Sequence, residues 1–195
     1  MAESFINSFE ELDLHMCEII MNANGEDIMR DAISDHLFAE SQGFLFMSRR
    51  KFGRCQDDGT IYIKEKGWEV VGRNESKFGK FAGSIAGSKL NSMFAQSVNY
   101  LFRDPDKDKH IFTLLTTEKS FVLIKNDENK DLIQDLFKLY SEHPIAPYQS
   151  YTTPGINKVF IEHPLVKIKS WDINDNFKFS EVINFIFKLL NGTDD

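Results

Sequence analysis

Apolar residues recur every three or four positions at the start of the chain, at Phe5, Phe9, Leu12, Met16 and Ile19. At 3.6 residues per turn they form one stripe, which predicts a helix over 3–22. Asn24-Gly25 ends it, because glycine takes the left-handed conformation found at helix C-termini. A second helix is expected over 26–40. Glu26 and Asp27 suit its positive N-terminus, and Ile28 or Met29, Ala32, Ile33 and Leu37 supply its apolar stripe. From Gly43 the period becomes two. GFLFMSRRKFG, TIYIKEKG and WEVVGRN read as a three-strand meander, broken at Asp57-Asp58-Gly59 and at Gly67.

Glycines interrupt the next stretch, so 76–88 reads as a loop or distorted helix. Leu90, Phe94, Val98 and Leu101 then predict a helix to 102. Asp104-Pro105-Asp106 stops it, since proline disfavours helix in the residue before it. HIFTLLTTEKSFVLIKN reads as a β-hairpin turning at Thr117-Glu118, and a helix is expected over 129–142. Prolines at 144, 147 and 154 make 143–158 an irregular loop, KVFIEHPLVKIKSW reads as strand, and a helix closes the chain over 179–191. Phe185 and Phe187 lie about 200° apart on that helix, so both are covered only if it is packed from two sides.

The expected fold class is α+β: an acidic N-terminal helical pair, a mostly antiparallel sheet, and helices packed on one face, in one domain over 1–195. Residues 119–142 and 165–192 share a strand ending in Ile-Lys, a polar turn and a helix containing Phe-Lys-Leu. This is a weak internal similarity, and coincidence accounts for it because that order of elements is common.

Composition narrows the class. Hydrophobic residues at 42 % and charged residues at 27 % fit a globular protein and exclude a disordered one. Only Cys17 and Cys55 could pair, the first residues are acidic, and no run reaches the roughly 18 apolar residues of a membrane span. The expectation is a reducing compartment, the cytoplasm or the host cell of a phage or pathogen, with no membrane partner. The net charge of −7 is unevenly spread. Residues 1–47 carry ten acids and one base, residues 48–89 carry ten bases and five acids.

That asymmetry supports two function classes. The leading expectation is a non-catalytic protein-binding role of inhibitor, immunity or adaptor type. There Glu10, Glu11, Asp13 and Glu18 would steer a basic protein partner. The alternative is nucleic-acid binding or nuclease action through 49–89, where Arg49, Arg50, Lys51, Arg54, Lys77 and Lys80 interleave with Phe52, Phe78 and Phe81. An enzyme whose site is assembled from distant residues stands as a third class.

Local motifs add little. Nuclease chemistry needs carboxylates converging near a lysine. Asp57, Asp58, Glu65 and Lys66 fit by type, but Glu65 and Lys66 are adjacent and would face opposite sides of a strand. The glycines at 79, 83 and 87 lack the offsets of a phosphate loop. Asp104, Asp106 and Asp108 lack the glycine and glutamate of a calcium loop. His15, His36, His110, His143 and His163 show no metal-ligand spacing. No cofactor or metal is expected from these patterns.

Overall fold

The computed structural model describes residues 25, 30, 31, 33, 43–47, 51, 52, 55, 56, 58–77, 85–144, 151–173 and 177–193. The predicted helices over 3–22 and most of 26–40 lie outside them.

Among the described residues the strands are β1 (Phe44–Met47), β2 (Lys51–Phe52), β3 (Cys55–Gln56), β4 (Gly59–Ile63), β5 (Glu69–Ser76), β6 (Phe112–Thr116), β7 (Ser120–Lys125) and β8 (Ile168–Asp172). The helices are α1 (Gly87–Arg103), α2 (Lys130–Glu142), α3 (Pro154–Glu162) and α4 (Phe179–Leu190). Six strands form one sheet in the order β1-β4-β5-β6-β7-β8, and β2 pairs with β3 as a separate short ribbon. Neighbours in the sheet are antiparallel except β5 and β6. That parallel pair needs a crossover, which α1 supplies. The fold is thus α+β with a mostly antiparallel sheet, as the periodicity indicated.

Alternation along the strands separates two cores. Phe112, Leu114, Phe121 and Leu123 face one side with α4, while Leu115, Val122 and Ile124 face the other with α1, α2 and α3. Helices therefore cover both sides of the sheet, which corrects the expectation of one face. The cause lies in β6 and β7, whose residues 112–116 and 120–124 are buried throughout. A strand apolar on both faces needs cover on both. Helix α4 is flanked by aromatics on two sides: Phe187 lies 5.1 Å from Phe44 of β1, and Phe185 lies 5.7 Å from Trp171 of β8. Each ring of the pair is packed on its own side of the helix and is half-buried.

The stretch read as irregular loop and then strand contains α3 instead. Thr153 caps the helix by accepting a hydrogen bond from the Ile156 N–H (3.4 Å), and Pro154 occupies its first turn, where its fixed φ suits a helix. Ile156 and Phe160, four apart, bury against α2. Strand β8 starts only at Ile168. The predicted meander is present as β1, β4 and β5, but β5 runs on to Ser76, two residues further than its apolar pattern suggested. Lys64–Lys66 forms a 3₁₀ turn rather than the end of a strand.

Gly59 opens β4 beneath the Phe46 ring, which occupies the space a Cβ would take. Gly59→Ala forces that ring out of a filled core, at a cost of about 1–3 kcal/mol. Urea unfolding of the variant checks this; an unchanged midpoint would show that the ring yields freely.

Candidate active site

Strand β5 ends in Arg73-Asn74-Glu75-Ser76, four polar residues with no exposed surface. Burying such groups is unfavourable unless each finds a partner. Their arrangement follows from strand alternation. Register places Arg73 opposite Thr113 and Glu75 opposite Leu115, on the side covered by α1. Asn74 and Ser76 point to the other side, where Asn74 Nδ2 donates to Ser76 Oγ (2.7 Å) and Ser76 Oγ meets Thr116 Oγ1 (2.7 Å).

Lys77, two residues beyond Glu75, shares its side of the strand. Its Nζ lies 2.8 Å from Glu75 Oε1. Asp58 immediately precedes the neighbouring strand β4. Gly59 pairs with Asn74, so the residue before Gly59 falls beside Glu75 and Ser76. Asp58 Oδ2 accepts a hydrogen bond from the Ser76 N–H (2.7 Å), and Asp58 Oδ1 faces the Arg30 guanidinium at 3.7 Å. Two strands and one turn thus bring Asp58, Glu75 and Lys77 together.

Burial pushes the Glu75 carboxyl up from 4.5 to about 8, with the nearby Asp58 charge adding to the rise and Lys77 and Arg73 opposing it. Its second oxygen, Oε2, is buried and has no hydrogen-bond partner among the described residues. The site is a recessed carboxylate with one vacant acceptor, a second carboxylate beside it, and a lysine 30 % exposed at the rim. Tyr100 of α1 lies over the Arg73 guanidinium at 5.7 Å. Its hydroxyl accepts from Gln96 Nε2 (3.1 Å), and burial together with Glu75 disfavours the phenolate.

The location is where ligands gather in sheets with parallel strands, outside the strands' carboxyl ends. The β6–β7 turn lies at the same edge, and Ser120 Oγ there accepts from the Ile85 N–H (3.1 Å), tying down the segment that enters α1. Among the described residues no group of three or more His, Cys, Asp or Glu could enclose a metal ion. Two carboxylates are what a hydrated divalent cation such as Mg²⁺ takes from a protein, the other positions being filled by water and substrate phosphate.

Of the residues singled out from sequence, Lys77 and Asp58 belong to this site. Lys51 lies in β2, on the ribbon that leads into Asp58. Arg49, Arg50, Arg54, Lys80 and Asp57 lie outside the described residues, as do Glu10, Glu11, Asp13 and Glu18. Glu65 and Lys66 are exposed in the turn at the far end of β4 and take no part. The Asp104 region is a structural turn: Asp104 holds His110 (3.1 Å) and Asp106 pairs with Lys109 (2.8 Å). His163 meets Asp135 at 3.1 Å. Glu75 was missed. The signal for it was Glu-x-Lys at strand spacing in the strand after an Asp-Gly turn, hidden because the third strand was ended at Asn74.

Comparison with known proteins finds no match to any family model, any curated protein or any solved structure. Function therefore has to be argued from the site. Among the described residues no helix is long and apolar enough to cross a membrane.

Proposed function

We propose that the protein is a divalent-metal-dependent nuclease acting through the 49–89 segment, with Asp58 and Glu75 as metal-holding residues and Lys77 as the cation at the reacting phosphate. The observation that carries this reading is the buried Glu75 carboxyl group beside Asp58 and Lys77, with Oε2 unpartnered among the described residues. A buried carboxylate left half-satisfied is unfavourable on its own, and a bound cation would relieve it. When bound, such a cation polarises a phosphoryl oxygen and favours hydroxide over water.

The chain's own groups do the rest. Asp58 is oriented by the Ser76 N–H, so its carboxylate keeps one direction without a metal. Lys77 places positive charge where negative charge develops on the phosphate during displacement. Lys51 on the ribbon, and the arginines and lysines around it in sequence, suit a polyanionic substrate. The binding-protein reading rests on amino-terminal charge alone, with no group placed by the described residues.

Incubation with labelled single- and double-stranded DNA and RNA, with Mg²⁺ or Mn²⁺ and with EDTA, tests the proposal. Cleavage is expected with metal only, and Asp58→Asn should remove it while leaving the circular dichroism spectrum unchanged. Metal-independent cleavage, or full activity in Asp58→Asn, refutes the assignment.

A further inference from the structure

On the side of the sheet that holds Glu75, helices α1–α3 pack against β5, β6 and β7, and among the described residues no helix packs on the Leu45 and Met47 side chains of β1. Leu45 of β1 stands opposite Tyr62, and Met47 opposite Thr60. Thr60 in turn pairs with Arg73, so this is the face of Arg73 and Glu75. Leu45 is 39 % and Met47 44 % exposed, whereas Phe44 and Phe46, on the opposite side of β1, are buried against α4 and its neighbours. Tyr62 is half-buried beside Leu45.

The strip has a direction. At one end Thr60 is two residues from Asp58. At the other, Lys64 is exposed, with Nζ 5.8 Å from the centroid of the Trp68 ring, and Trp68 holds a left-handed backbone (φ 65°). At roughly 3.3 Å per residue β4, from Gly59 to Ile63, spans about 13 Å. In chain order the line runs from a lysine and two carboxylates beyond one end of β4, past two apolar side chains and a tyrosine, to Lys64 and Trp68 in the 3₁₀ turn and the residues after it at the other end.

Single-stranded nucleic acid fits that line. Its bases have free faces to lay on apolar and aromatic side chains, and its phosphates meet the cations. A duplex stacks those faces away and would leave Leu45 and Met47 without contact. Exposed Glu65 and Glu69 beside Lys64 oppose a longer run of phosphates, so the tract is short. Resting on the nuclease reading above, we propose that the Leu45–Met47–Tyr62 strip seats the unpaired bases of a single-stranded substrate whose backbone enters the Asp58–Glu75 site.

Fluorescence anisotropy in EDTA, where no cleavage occurs, tests binding apart from catalysis. A short labelled oligo(dT) should bind the full chain more tightly than a duplex of equal length. The double variant Leu45→Ala, Met47→Ala should weaken single-strand binding about tenfold and leave duplex binding unchanged. With metal present it should raise KM for single-stranded substrate and spare kcat. In the unmodified protein, photo-cross-linking of an iododeoxyuridine oligonucleotide should fall in residues 44–62, which guards against a variant that folds poorly. Equal affinity for both forms, cross-links elsewhere, or a variant whose only change is loss of self-association by light scattering would overturn the proposal. Selective single-strand binding without metal-dependent cleavage would leave the strip standing and remove the active-site reading; cleavage confined to duplex would do the reverse.

Discussion

Glu75→Gln is expected to abolish metal-dependent cleavage of nucleic acid. The amide keeps the shape of the side chain and an oxygen to accept from Lys77, so packing around β5 survives. It loses the charge that would hold a cation, along with the second acceptor on Oε2. Losing an outer-shell partner of a metal typically costs 10–100-fold in affinity or activity, and a direct ligand should cost more. Lys77→Met makes an informative companion. It removes a cation from the site but leaves both carboxylates, so kcat should fall about 10²–10³-fold while metal still binds. Calorimetric titration with Mn²⁺ separates the two, with Glu75→Gln losing heat and Lys77→Met retaining it. Metal binding undiminished in Glu75→Gln would remove the carboxylate from the proposed site.

Glu75 should also make the metal-free protein less stable as pH rises through neutrality. Its folded pKa of about 8 stands above the ordinary 4.5, so between those values the native state holds a proton that the unfolded chain has released. Stability then falls as pH rises from 4.5 to 8 and levels off above it. At 1.36 kcal/mol per unit this amounts to roughly 5 kcal/mol for a wholly buried group, an upper figure because neighbouring charges respond. Other carboxylates favoured in the folded state change stability in the opposite sense, so the measurement is the difference between the unmodified protein and Glu75→Gln. In urea unfolding at pH 5.5, 7 and 8.5 the variant should gain progressively. Added Mg²⁺ should stabilise the unmodified protein at pH 8.5 far more than at pH 5.5, because binding then displaces no proton. A variant difference that is flat across pH would show that Glu75 is not held protonated.

Much of the architecture was legible along the chain. Alternation marked β1, β4 and β5, the 3.6 period marked α1, α2 and α4, and Thr117-Glu118 marked the turn between β6 and β7. The errors came where one local signal stood for another. Pro154, with its neighbours Pro144 and Pro147, reads locally as a breaker of structure, although proline in a helix's first turn behind a threonine cap is a start signal. The site was half legible. Lys77 and Asp58 stand out by residue type, but along the chain Asp58 groups with Glu65 and Lys66, whereas its neighbour across the sheet is Glu75.

The periods of the elements, the uneven charge and the basic stretch containing carboxylates can all be read along the chain, because they depend only on residues a few positions apart. Tertiary structure decided what lies next to what. Register between β4 and β5 sets Asp58 beside Glu75. The crossover through α1 makes β5 and β6 parallel, and among the described residues Leu45 and Met47 of β1 stay exposed while both sides of β6 and β7 are covered. Pairing register and burial are properties of contacts between distant segments. A carboxylate that reads as one more surface acid in sequence therefore becomes a buried group with a raised pKa only when the strands have met.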